Sequence, residues 1–144
     1  MKIVYSLRTD PGLADMQTAS QAESLVGLKQ THGLVGSLDW WERVESGVLP
    51  KSTTSGTVIH FWPGHHGDWP EIELREPDGT SSNWGCLVPS NEASQFFTLG
   101  TAVEIDHVQQ ELKQSFNGSR ATCLVIAIRV EPNPSFKRTP DGAA

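Results

Sequence analysis

The residues best equipped for chemistry cluster in HFWPGHHGDWPE, His60 to Glu71, where three of the five His and two of the five Trp accompany an Asp and a Glu. Imidazoles and carboxylates suit Zn²⁺ or another divalent ion. His60, His65 or His66, and Asp68 or Glu71 would supply three ligands and leave one position open. The spacing speaks against such a site. Adjacent His65 and His66 point to opposite sides of an extended backbone, and there is neither a His-x-His pair nor H-E-x-x-H. No metal and no cofactor is therefore expected. A second chemistry is an acid–base pair of His60 and Glu71 in a small enzyme. A third pairs Glu71 with Glu73, i and i+2 on one strand face and roughly 7 Å apart, but solvated strands carry such pairs routinely. Cys86 and Cys123 have no His beside them in sequence, and Cys123 in TCLVIAI reads as a small buried apolar residue. A Ser elbow, a phosphate-binding Gly loop and a dinucleotide fingerprint are all missing from the sequence.

Taken as a hairpin, the same segment has a register that buries apolar residues opposite one another. Pairing Trp62 with Trp69 puts Ile59 opposite Ile72 and Phe61 opposite Pro70 on one face, with His60 opposite Glu71 on the other. Trp62, Trp69, His65, His66 and Asp68 then form an aromatic, polar-edged surface around the turn glycines Gly64 and Gly67, and are binding candidates. Pro70 has no N–H for a ladder, so either its strand is at a sheet edge at that point or its nitrogen faces away from the partner. An edge carrying exposed Trp invites a second chain, and a homo-oligomer is expected from it.

The elements that hold this segment follow from periodicity. A short strand at Lys2 to Ser6 precedes a helix over Ala14 to Thr31, with Met16, Ala19, Ala22, Leu25, Val26 and Leu28 near helical spacing and Gly33 at its end. A second helix spans Leu38 to Ser46, capped by Ser37 and stopped by Gly47, with Trp40, Trp41 and Val44 as its packing face. Trp40 and Trp41 anchor this helix on the sheet, and are also candidates for lining a cleft or a binding surface. From Gly56 the period becomes two: TVIHFW, WPEIELRE and NWGCLV make an antiparallel meander, with Pro77-Asp78-Gly79 as turn chemistry. Residues 103–113 fit either state. Ile105, Val108, Leu112 and Phe116 have helical spacing, whereas Asn117-Gly118 before ATCLVIAIRV signals a hairpin and favours a strand. Ala121 to Val130, apolar on both faces, is expected as a central strand. The fold class is α+β: two N-terminal helices packed on a strongly curled antiparallel sheet of about five strands that approaches a small barrel.

Residues 1–131 are read as a single globular domain and 132–144 as a disordered tail, since 144 residues bury roughly two thirds of their unfolded surface in one core. The formal net charge is −6. The tail contributes +1 through Lys137, Arg138 and Asp141, which leaves −7 on the body and argues against a nucleic-acid partner. MKIVYSLRTD is too short in apolar residues for a signal peptide and no run spans a membrane, so a cytoplasmic location with free thiols is expected.

The tail string NPSFKRT resembles the peptide encoded when a bacterial reading frame runs into the recombination site of an integron gene cassette. The resemblance covers Pro132 to Thr139. It implies a mobile-cassette protein from a bacterium, a population that includes resistance enzymes and toxin and antitoxin components, with oligomers common. It carries over no catalytic residue. Two function classes follow: a homo-oligomeric binding or interaction module with a protein or small-molecule partner, or a small enzyme using His60 and Glu71 in a cleft between the Trp40-Trp41 helix and the sheet. The composition favours the first.

Overall fold

Ser37 and Gly47 delimit the best-defined helix. The Ser37 hydroxyl accepts a hydrogen bond from the Trp40 amide, and Gly47 takes the left-handed conformation at φ 86°, so α2 runs Leu38–Ser46 as its end signals require. The computed structural model describes residues 1–23, 27–64, 69–116 and 118–132. Within these, the strands are β1 Lys2–Ser6, β2 Lys51–Trp62, β3 Glu71–Arg75, β4 Ser81–Gly85, β5 Ala102–Phe116 and β6 Ser119–Val130, and the helices are α1 Leu13–Gln21, α2 and α3 Ser90–Phe96. The class is α+β. The sheet has six strands in the order β1-β6-β5-β2-β3-β4, and it ends at β1 and β4 rather than closing into a barrel. The expected count of two helices and about five strands is therefore corrected to three helices and six strands: α3 carries no apolar stripe long enough to signal a helix, and residues 103–113, which fit either state, lie in β5, while the short strand expected at Lys2 to Ser6 is β1, beside β6. No helix among the described residues is long and apolar enough to cross a membrane.

The first helix is shorter than its apolar period suggests. α1 stops at Gln21 because the chain is needed elsewhere: Leu28 bridges to Leu112, Lys29 N–H donates to Glu111 O, and Lys113 N–H donates to Gly27 O. Lys113 Nζ donates to the carbonyls of Ala19 and Ala22, 2.7 Å each, which satisfies acceptors a helix end would leave open. Ser20 is buried inside α1 and its hydroxyl donates to Leu28 O at 2.6 Å.

The chain forms two compact units. One comprises Ser6–Thr53 and Asp106–Ala127. Its core gathers Leu7, Leu28, Val35, Trp40, Trp41, Val44, Leu49, Val108 and Ile126. The other comprises Met1–Tyr5, Thr54–Ile105 and Ile128–Ala144. Here Val58, Ile72, Leu74, Phe97, Val103, Ile105 and Ile128 are buried. The expected disordered tail, 132–144, lies outside the described residues apart from Pro132.

Cys86, just after β4, is buried, and that burial, helped by the negative charge of Glu71, pushes its thiol up to about 12 from an ordinary 9.0. Below pH 9 the folded and unfolded chains both keep the proton. Above it the unfolded chain ionises first, so this group makes stability fall as pH rises from 9 towards 12. Cys86→Ala should flatten that part of the stability curve measured by urea unfolding. A wild-type curve already flat from pH 9 to 11 would refute this account.

Candidate protein-interaction face

β2 and β3 pair antiparallel with Trp62 opposite Glu71, Phe61 opposite Ile72, His60 opposite Glu73 and Val58 opposite Leu74. The expected Trp62–Trp69 and His60–Glu71 register is thus corrected by two residues. A slip of two keeps every side chain on its face, so the burial pattern alone does not exclude either register. A bulge at Ile59 then shifts the pairing by one, which turns Val58 inward to meet Leu74, both almost fully buried. β3 pairs β4 with Glu71 opposite Gly85, Ile72 opposite Trp84, Glu73 opposite Asn83 and Arg75 opposite Ser81.

Because residues directly opposite share a face, one side of β2-β3-β4 carries Phe61, Ile72 and Trp84 with Val58, Leu74 and Ser82. The other presents His60 and Trp62, then Glu71, Glu73 and Arg75, then Asn83. On that outer face the His60 and Trp62 rings stack, with centroids 4.0 Å apart and planes 25° from parallel. Trp62 is 39% exposed and Trp69, just before β3, is 54% exposed. Trp62 and His60 therefore stand exposed opposite two carboxylates, Glu71 and Glu73.

The remaining site candidates fall in three places. His65, His66 and Asp68 lie outside the described residues. Trp40 and Trp41 sit in the core of their unit, edge to face with centroids 4.7 Å apart, and the Arg8 guanidinium lies 3.8 Å over the Trp41 ring. Both rings are consumed by packing, which fills the place where a cleft beside this helix was expected. His60 is exposed, and its cross-strand neighbour is Glu73 rather than Glu71. An open depression of about 470 Å³ is lined by Gly56, Thr57, Ile59, Arg75, Glu76 and Pro77, so neither His60 nor Glu71 belongs to it. At Gly56 β2 runs close to β3, and a Cβ there would come within 2.8 Å of the Arg75 carbonyl oxygen. Among the described residues no three His, Cys, Asp or Glu side chains gather as a metal-holding group.

Pro70 is not on an edge. It is buried ahead of β3, which lies between β2 and β4, and its carbonyl accepts the Cys86 amide at 2.8 Å. The missing N–H costs nothing there, because the strand begins at the next residue. Self-association through a Pro-containing edge loses its structural basis. On this side the sheet ends at β4, and its composition, SSNWG, gave no sign of that position.

The family model described as Immunity protein RhsI2 matches residues 1–131. No curated protein matches the chain. The match overturns the assignment as an integron cassette protein of unrecognised family. That assignment rested on Pro132 to Thr139, outside the matched residues, and a string that resembles a translated DNA site holds no information about the fold ahead of it.

Proposed function

The chain belongs to the RhsI2 immunity-protein family, and from that premise we propose that it is a binding protein that neutralises its cognate Rhs toxin by forming a complex with it. The observation that carries this reading is the match over residues 1–131, which takes in both compact units. The outer face of β2-β3-β4 supports it. Stacked aromatic rings flanked by carboxylates resemble an interface anchor with a polar rim, whereas an acid–base pair would need His60 in a cleft. The body, residues 1–131, works as one domain on this reading, and the complex forms in the cytoplasm. A homo-oligomer is not needed: one immunity chain per toxin suffices.

Co-expression tests it. Cells producing the cognate Rhs toxin should stop growing, and should recover when this chain is produced with it. The purified pair should elute as one complex at equal stoichiometry. Continued arrest together with separate elution would sink the proposal.

A further inference from the structure

We infer that the free edge of β4 takes an extended, Lys- or Arg-bearing segment of the toxin as a seventh strand. The inference rests on the toxin-binding function proposed above and locates it. The ladder fixes which backbone groups are available. Glu76 N–H donates to Thr80 O at the turn, and Cys86 N–H donates to Pro70 O beyond the strand. In an antiparallel pair hydrogen-bonded positions alternate, so Leu74–Ser82 and Ile72–Trp84 are the bonded pairs between those ends. Ser81, Asn83 and Gly85 therefore turn their N–H and C=O groups away from β3, towards the side where the sheet has no further strand among the described residues. Sheet edges are ordinarily blunted by Lys, Pro or inward charges, and SSNWG has none of these. An extended partner strand would satisfy those groups by main-chain pairing.

Charge selects the partner's side chains. Glu71 lies behind Gly85 and Glu73 behind Asn83 on the outer face, so an added strand would run about 10 Å from them, two strand spacings away. Gly85 has no side chain to block that path. A Lys or Arg lying across it reaches towards Glu71, and the chain's net charge of −6 favours the same sign of partner. A second copy fits worse, because antiparallel β4–β4 pairing would set both copies' Glu71 and Glu73 on one face.

Asn83→Pro tests the edge: the amide it removes faces outward, so the β3 ladder keeps its bonds. Binding of N83P to the cognate toxin should weaken by about 30-fold or more, with the melting temperature close to wild type. Glu71→Lys should weaken binding about tenfold and reduce its salt dependence. Hydrogen exchange of the wild-type complex should protect the Asn83 and Gly85 amides, and it decides the matter should N83P not fold. A folded N83P that binds like wild type, or edge amides that exchange as fast in the complex as in the free chain, overturns the inference and leaves the immunity function standing. So does a wild-type dimer abolished by N83P with toxin affinity intact. A wild-type chain that does not bind the toxin at all removes the function itself.

Discussion

Trp40→Ala should lower the stability of this protein by about 3–5 kcal/mol, the largest effect expected of any single truncation in the chain. Trp40 is fully buried, it meets Trp41 edge to face, and its indole N–H donates to Gln110 Oε1 at 3.1 Å. Gln110 is itself buried and spends its amide on the Lys29 carbonyl at 2.7 Å, which lies in the segment that runs beside β5. Removing the indole leaves a cavity and also strands the Gln110 oxygen without a donor, and each loss is expensive at a buried site. The melting temperature should drop by roughly 10 °C or more. Trp40→Phe keeps most of the volume and loses only the hydrogen bond, so it should cost clearly less. Equal losses for Phe and Ala would mean that the hydrogen bond outweighs the packing; a drop below about 1 kcal/mol for Ala would show that the core tolerates the void and that this account of it is wrong.

How far such an account can be built from sequence depends on whether the signals are local. α2 was legible from end to end because Ser37, Gly47 and the Trp40–Val44 spacing all act within the helix. The β3–β4 turn was legible for the same reason: Asp78 Oδ1 accepts from the Thr80 amide and hydroxyl, and Gly79 takes φ 92°, whereas the strand read in NWGCLV lies earlier, at Ser81–Gly85. β5 was ambiguous for a physical cause. Its buried positions are Val103 and Ile105, then Asp106, Val108 and Gln110, so the buried phase switches from odd to even between Ile105 and Asp106. That switch mimics a helical period. It also buries a carboxylate, held by Thr53 Oγ1 at 2.7 Å and Lys51 Nζ at 3.8 Å, partners 53 and 55 residues away that no local pattern announces. The hairpin register missed by two residues because such a slip leaves every side chain on its face, the bulge at Ile59 adds one residue without any compositional mark in TVIHFW, and the sheet edge failed because strand order is a property of the whole chain.

Of the candidate site, the exposed aromatic and acidic side chains of β2 and β3 were legible as a surface, but the pairing that puts Trp62 beside Glu71 was not. Trp62→Ala should cost about 2–4 kcal/mol of toxin affinity, a 30- to 1000-fold rise in Kd, while changing stability by no more than about 1 kcal/mol. The asymmetry follows from its place: 39% exposed, stacked on His60 and flanked by a carboxylate across the strand, it gives little to the core and offers a rigid aromatic face to a partner. Leu38, 83% exposed on α2, is the comparison that separates site from area. If exposed apolar surface of any kind drives the complex, Leu38→Ala should cost as much as the Trp62 change; if the β2-β3-β4 face is the interface, it should cost less than about 0.5 kcal/mol. Calorimetric titration of both variants against the cognate toxin decides between them, and a Trp62→Ala variant that binds within threefold of wild type would move the interface elsewhere on the chain.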